Sequence, residues 1–497
     1  MPLRDMDREQ AWLLPPSLDD LLPLDHPARF VAEFVDALDR EGWAELGVEI
    51  DGDPMGAPAY HPRALLSVWL YGFMTKVRSC RKLEAACRDQ IPFLWLTGWQ
   101  HPDHNTLWRF YQRHRQNMRE LFKRTVRTAV SLELVDLAVQ AVDGTKVAGN
   151  ASVRRTYTGE QLSQLLDRVE RVIEELEAQN EAGDDGDPAH LPEKLSDRKT
   201  LRQRVRQAME ELPEPGRYSQ YNHPRRINLT DRDARPMKTA QGVVPGYNAQ
   251  AMVSPLSTDE GGTGMLITAV DVVDEVNDLA RLTPMVEQVE EVTGVRVPTT
   301  LADAGYFGGR HLEECARRGQ QVVMPDPKQR SIKQDPYHKD RFTYDEDNDC
   351  YYCPRGQTLP FLRLSRKRGQ MIRIYRASRL VCKECPALGV CTKDRRKGRA
   401  LELGPYDAVS RRHRAWMETE EAKRVYKLRK HLVEPVFGII KEQLGARRFL
   451  LRGLANVSAE WTVLATAFNL RTLWKAWRSR PRLFAEALHG LAPRPVP

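Results

Sequence analysis

The sequence predicts a mixed α/β sheet covered by helices, preceded by an all-helical region and interrupted by two inserted segments. Three observations carry this. Residues 1–132 place their apolar side chains at helical spacing. Short apolar runs then follow, first in succession and later alternating with helical stretches, the pattern of a mixed sheet with helices on it. From about Glu418 to Arg480 the chain returns to long helices.

In the first region, Phe30, Val31, Phe34, Val35 and Leu38 predict an amphipathic helix over Pro27–Trp43. Pro62 suits a first helical turn. Leu65–Met74 is apolar nearly all round, so it reads as a helix buried at the centre of this region. A short helix starts from Ser79, a break falls at Ile91–Pro92, and Asp103 or Asn105 can cap a helix carrying Arg109, Arg113, His114 and Arg115. A short helix followed by a capped basic one has the form of a helix-turn-helix, which makes Arg109 and Arg113 candidate DNA contacts. A basic face on an ordinary helical bundle gives the same pattern.

The run LAVQAVDGTKV reads as a buried strand with Asp143 at its end. Residues 160–211 are acidic in the first half and basic around Arg198–Arg206, separated by GDDGDP; they predict an exposed charged helical hairpin. Strands follow in GYNAQAMVS, MLITAVDVV, PTTLADAGY and QQVVMP, with helices in NDLARLTPMVEQVEEV and GGRHLEECARRG. Residues 326–406 form a polar, basic insertion holding five of the eight cysteines, and residues 481–497 a tail. Asp231 and Asp233 read as turn formers, and Asp271, Asp274 and Asp278 as caps and flanks of a helix starting near Asn277.

Composition bounds the function. At 497 residues, 41% hydrophobic and 29% charged, the chain is globular and not disordered. It has no apolar run near the ~20 residues of a membrane span. MPLRDMDREQAWLLPP lacks the basic start and apolar stretch of a secretion signal, and the cysteines are too sparse for a disulfide framework. The expectation is a cytoplasmic protein without a membrane partner. A net charge of +8 favours a polyanion.

Asp143 closes VQAVD and Asp303 closes TTLAD, each before small residues, where a strand end brings a carboxylate within reach of a ligand. Any single such Asp is more often a turn residue or cap. Glu434 stands among Leu432, Val433, Val436 and Phe437, where a carboxylate is expensive to desolvate without a cation. A Glu extending from its helix and paired with Lys430 or Lys441 is the plain alternative. Together, three carboxylates from separate elements suit two metal ions ~4 Å apart that activate a hydroxyl and stabilise the leaving oxygen of a phosphodiester. Mg²⁺ fits such oxygen ligands.

With these pieces in place, the sequence resembles the DDE transposases of bacterial insertion sequences, in the branch with a Tyr-Arg-Glu-Lys signature. The resemblance spans most of the chain through PDHNTLWRF, AVDGTKV at Asp143, GYNAQ, LADAGYF at Asp303 and VEPVFGIIK at Glu434, in that order. It implies an RNase H-like catalytic domain over residues 133–480 and a DNA-binding region in residues 1–132. It also implies Asp143, Asp303 and Glu434 as catalytic ligands of two Mg²⁺ ions. Tyr426, Arg429, Lys441 and Lys146 then become candidate DNA contacts. The signature leaves three residues between Arg and Glu; here four separate Arg429 from Glu434, so on a straight helix the two point well apart. Lys430, four before Glu434, shares its face. Either Lys430 supplies the positive charge or a local bulge restores the alignment.

Cys350 and Cys353, then Cys382 and Cys385, form two CxxC pairs, and Cys391 follows; four such thiols can hold one structural Zn²⁺. Reduced cysteines in a small core are the alternative, and Cys80, Cys87 and Cys315 read as ordinary core residues. Heavy positive charge surrounds the pairs, at Arg363, Arg366, Lys367, Arg368, Arg373, Arg376, Arg379, Lys393, Arg395, Arg396, Lys397 and Arg399. More follows at Arg447, Arg448 and Arg452. Such runs neutralise phosphates.

The expectation is a transposase that binds double-stranded DNA, both element ends and target, as a homodimer. Water would attack a phosphodiester at the element end, and the freed 3′-hydroxyl would attack the target. The alternatives are a structure-selective nuclease of the same fold, or a non-catalytic DNA-binding protein derived from a transposase.

Overall fold

Among the described residues, seven helices come first: α1 (Pro27–Asp36), α2 (Arg40–Glu45), α3 (Pro62–Met74), α4 (Cys80–Asp89), α5 (Ile91–Thr97), α6 (His104–His114) and α7 (Arg119–Ser131). The computed structural model describes residues 17–50, 58–181, 192–212, 226–239, 242–257, 264–367, 369–394 and 396–489. The MPLRDMDREQAWLLPP start, the GDDGDP separator, Arg368, Arg395 and the end of the expected tail lie outside them. The predicted helix over Pro27–Trp43 is two helices. Asp39 accepts the Gly42 N–H at 2.8 Å and caps α2, so the chain turns between them. The expected break falls at extended Gln90, between α4 and α5, and Pro92 sits in the first turn of α5, where its missing N–H costs nothing. Every residue from Leu65 to Met74 in α3 is buried, as its apolar circumference predicts.

The main sheet has six strands: β1 (Val139–Ala148), β4 (Arg235–Thr239), β5 (Gly242–Pro255), β6 (Met265–Val273), β7 (Thr299–Leu301) and β8 (Gln321–Val323). β5 pairs antiparallel with β1, β4 and β6, while β7 and β8 run parallel to β1. Between β1 and β4 lies the charged insertion. Its short strands β2 (Thr156–Thr158) and β3 (Arg226–Asn228) pair at the base, and α8 (Gly159–Glu181) and α9 (Pro192–Glu210) form the hairpin. The acidic and basic halves meet across it at Glu170–Arg206 and Glu177–Lys199, 2.6 and 2.7 Å.

The sheet is covered on both faces. On one, Val142, Met252 and Ala269 pack with α10 (Leu282–Thr293) and α11 (Gly309–Arg317). The basic insertion follows, with α12 (Gln329–Gln334), α13 (Arg379–Lys383) and strands β9 (Thr343–Asp345), β10 (Cys350–Tyr352), β11 (Thr358–Lys367), β12 (Gln370–Arg376) and β13 (Ala400–Leu403). These five strands form one antiparallel sheet with its own core of Phe342, Leu359, Tyr375, Ala377, Leu401 and Leu403.

The last helices are α14 (Asp407–Trp416), α15 (Glu420–Gly438), α16 (Leu454–Ser479) and α17 (Pro481–His489). The predicted tail is therefore helical as far as His489. α15 and α16 cover the second face of the sheet, and the same core continues into α1, α3 and α7. Buried Asn469 shows how α16 joins the two regions. Its side chain bonds the N–H and C=O of Ile267 on β6, at 2.9 and 2.8 Å, and the Thr125 hydroxyl of α7 at 3.1 Å. Among the described residues no helix is long and apolar enough to cross a membrane.

Candidate active site

Asp143 does not close its strand. β5 pairs β1 as far as Ala148, whereas β7, on the other flank, ends at Leu301, level with Ala141. Asp143 therefore borders the space that β7 leaves. Asp303, two residues past Leu301, starts the turn Ala304–Tyr306, and its Oδ1 accepts the Gly305 N–H at 2.8 Å. Two acids thus stand at adjacent parallel strands, on the carboxyl side where α/β sheets place ligands. Burial pushes the Asp143 carboxyl up to about 6; Arg429 opposes that rise, and Asp303 and Asp278 add to it.

Of Arg429 and Lys430, Arg429 is the one that reaches the acids. It is buried on α15 with Nη2 2.7 Å from Asp143 Oδ2. Tyr426 packs beside it. Burial raises the Tyr426 phenol; Arg429 opposes, and Asp303 and Asp143 add to the rise. Lys430 is exposed and does not take this place. α15 is regular through these residues, so Glu434 points about 140° away from Arg429. The expected embedding of Glu434 is corrected: Leu432, Val433, Val436 and Phe437 face the core, and Glu434 is exposed. The bulge exists, but it is a π-turn over Ile439–Gln443, after Glu434. It holds a close approach to β1, where Lys441 Nζ donates to Thr145 Oγ1 at 2.5 Å, two residues beyond Asp143 on the same face.

Asp278 is the acid that the sequence reading missed. It caps no helix: α10 starts at Leu282, and Asp278 lies in the turn before it. Asn248 Nδ2 and Gln250 Nε2 donate to its Oδ1 at 2.6 and 2.7 Å, and Lys146 Nζ lies 3.4 Å away. The sequence signal was the pair of amides two apart in the otherwise apolar run GYNAQAMV. Of the other acids, Asp274 pairs with Arg235 at 3.0 Å and Asp271 faces Arg281 at 3.6 Å. Asp231 and Asp233 do more than form a turn. Asp231 is buried and accepts the Tyr247 hydroxyl at 2.7 Å and the Gly453 N–H at 3.1 Å, while Asp233 accepts the Leu454 N–H, fastening the start of α16.

The donor set at Asp143, Asp278 and Asp303 is all oxygen, which suits a hard divalent cation. Asn248, fully buried, adds an amide Oδ1 with no partner. Among the described residues no three His, Cys, Asp or Glu side chains converge into a closed metal-binding group. Here Arg429 and Lys146 neutralise Asp143 and Asp278.

In the insertion, Cys350 is buried in β10, whereas Cys353, Cys382, Cys385 and Cys391 are half-buried. Burial raises the Cys391 thiol; Arg399 opposes, and Cys353, Cys382 and Cys385 all add to the rise, which puts these four thiols in one neighbourhood. The Arg355 and Gln357 N–H groups point at Cys353 Sγ, at 3.4 and 3.3 Å. Part of the surrounding charge is structural: Arg399 donates to the carbonyls of Cys391 and Tyr337, and Arg373 pairs with Asp349. Arg363, Arg366, Arg379, Lys393, Arg396 and Lys397 are exposed. Cys87 and Cys315 are buried and Cys80 half-buried against the main core.

On α6, Asp103 is the cap, accepting the Thr106 N–H at 2.6 Å. Leu107, Tyr111 and His114 face inward, and Asn105, Arg109, Gln112 and Arg113 form an exposed stripe. Arg115 is turned to α16, donating to Asn456 Oδ1 at 2.9 Å.

Comparison with known protein families gives two matches. A family described as a transposase DDE domain matches residues 352–474, and a transposase domain of the DUF772 family matches residues 16–113. Comparison with curated proteins and with solved structures gives no match. The two matched segments hold the capped basic helix α6 at one end and the Arg429-bearing helix α15 at the other, and together the matches support a DDE transposase of an insertion element.

Proposed function

We propose that the chain binds the ends of its element, cleaves DNA there and joins the freed 3′-hydroxyl to a target, with Asp143, Asp303 and Glu434 as ligands of two Mg²⁺ ions. The observation that carries this is the juxtaposition of Asp143 and Asp303 at the open flank of β1, close enough for Asp303 to raise the Asp143 carboxyl. The sheet supports an RNase H-like reading: antiparallel strands on one side of β1 and parallel strands on the other. Glu434 is taken as the third acid from the Tyr-Arg-Glu-Lys resemblance; it lies on α15, the helix that also carries Arg429 to Asp143.

When bound, the ions supply a hydroxide or 3′-alkoxide nucleophile and stabilise the leaving oxygen. The chain's own residues do the rest. Arg429 balances Asp143 before loading, and Lys146 and Lys441 offer positive charge beside the acids for a phosphate. The α6 stripe reads the element end, and the exposed basic residues of the insertion track the backbone. Cys353, Cys382, Cys385 and Cys391 hold one structural Zn²⁺. Pairing two ends requires two copies of the site, hence a homodimer on DNA, working in the cytoplasm on the nucleoid.

The test is Mg²⁺-dependent nicking and strand transfer with DNA carrying the inverted repeats that flank the gene. Nicking without joining of pre-cleaved ends supports the nuclease alternative. Neither reaction, with DNA binding intact, supports the non-catalytic one.

A further inference from the structure

Asp278 is built into the site from the α10 side of the sheet. β1 and β5 pair Gly144 with Gln250 and Lys146 with Asn248, so these four positions share one face. Gly144 makes the room: a Cβ there would fall 2.6 Å from Asp278 Oδ1, 2.8 Å from Asn248 Oδ1 and against Gln250 Nε2. Any side chain at 144 would expel the Asp278 carboxylate from the flank of Asp143. Gln250 is itself held, since its Oε1 accepts the buried Tyr306 hydroxyl from the turn that Asp303 starts.

Oδ1 of Asp278 takes the two amides and Lys146, while Oδ2 takes none of these donors and faces Gly305. A Cβ at Gly305 would meet Asp278 Oδ2 at 3.3 Å and Asp303 Oδ1 at 3.0 Å, so both oxygens look onto the same point. Independently, Asn248 is fully buried, and its Oδ1, which has no hydrogen-bond partner among the described residues, lies with Asp278 Oδ1 around Gly144. A buried acceptor without a donor is costly, and it is satisfied by a cation as well as by a hydrogen bond.

We infer that Asp278 is a further metal-binding carboxylate of this centre, sharing a divalent cation with Asp303 across Gly305, with the unpartnered Asn248 Oδ1 beside the same carboxylate as a further oxygen donor. The inference rests on the metal-dependent reading above and adds an acid to it; Asp143 and Asp303 remain its partners.

The experiment measures Mn²⁺ binding to the full chain by electron paramagnetic resonance, with DNA binding followed by mobility shift. Asp278→Asn keeps an oxygen for Asn248 and Gln250 and removes only the charge. It is expected to weaken Mn²⁺ binding at least tenfold with DNA binding unchanged, and Asn248→Ala to weaken it less. Wild-type Mn²⁺ affinity in Asp278→Asn overturns the inference. If Asp143→Asn and Asp303→Asn also keep full Mn²⁺ binding, the underlying reading fails instead. Because Asp278→Asn can perturb folding, iron-generated hydroxyl-radical cleavage of the wild-type backbone gives a second measurement. Cuts around residue 278 as well as 143 and 303 are expected, and cuts at 143 and 303 without 278 overturn the proposal.

Discussion

Arg429 Nη2 stands 2.7 Å from Asp143 Oδ2, so a cation of the protein occupies the carboxylate proposed as a metal ligand. The pair is nearly enclosed, with side-chain exposures of 11% and 18%. Burial and the neighbouring acids raise the Asp143 carboxyl to about 6, against the lowering by Arg429. A carboxyl raised on folding ionises at the expense of stability. The contribution present at acid pH is lost as pH rises through about 6. A metal must compete with a proton below that pH and with Arg429 above it. Mg²⁺ affinity is expected to fall as pH drops below about 6. Arg429→Gln removes the lowering influence, so the midpoint should move upward by about one pH unit or more. Calorimetric titration of Mg²⁺ between pH 5 and 9 checks this. An unmoved midpoint would detach Arg429 from the metal site.

Glu434→Gln should abolish nicking while leaving DNA binding intact. The side chain is exposed and outside the core, so the substitution costs little stability. Losing one ligand of a two-metal centre should lower the rate by orders of magnitude. Nicking of end-containing DNA and mobility shift, run in parallel, separate the outcomes. Near-normal nicking would move the third ligand away from α15.

The legible part of the site was the part written in local pattern. Asp143 and Asp303 each end an apolar run before small residues, and both stand at the sheet's open flank. Glu434 misled because its apolar neighbours in sequence are not its neighbours in space. On a helix, Leu432, Val433, Val436 and Phe437 turn to the core and carry Glu434 outward. Asp278 was hidden among several acids of one loop; the amides of Asn248 and Gln250, which share a face of β5, single it out only through their hydrogen bonds to it. The insertion read only as polar and basic, without its strands, because most of β11 is exposed, which removes the alternation that marks a half-buried strand. The separate helical region was legible as helices, but not as part of a core shared with α16, since nothing local in a sequence records a contact hundreds of residues away.

The exposed stripe on α6 should read element ends. Arg109→Ala and Arg113→Ala are each expected to cost about 1–3 kcal/mol of specific binding. Both side chains are exposed, so the fold should be unaffected. Footprinting on terminal repeats, compared with unrelated DNA, is the measurement. Unchanged footprints would assign end recognition to another surface.

Zinc content should depend on four cysteines of the five. Purified without chelator, the chain should carry about one Zn²⁺, held as four thiolates. Cys391→Ser should lose the metal, because Cys391 shares its neighbourhood with Cys353, Cys382 and Cys385. Cys350→Ser should keep it, since that thiol is buried in β10. Elemental analysis of the two variants decides. Equal zinc in both would overturn this ligand set.

The helical region and the catalytic sheet should unfold together, because a buried ion pair joins them. Arg78, just before α4, reaches Glu460 of α16 at 2.5 Å, with side-chain exposures of 5% and 2%. Arg78 also donates to the carbonyls of Gly445 and Arg448, and Glu460 accepts the N–H groups of Leu450 and Leu451. Glu460 is thus surrounded by donors. Glu460→Gln would turn an amide NH₂ toward another donor and leave the Arg78 charge without its partner. Breaking a buried pair from one side costs about 3–5 kcal/mol. The loss should appear as one cooperative melting transition moved to lower temperature, reported alike by the tryptophans of α3 and α16. A second, unshifted transition from Trp69 would show that residues 1–132 fold independently of the pair.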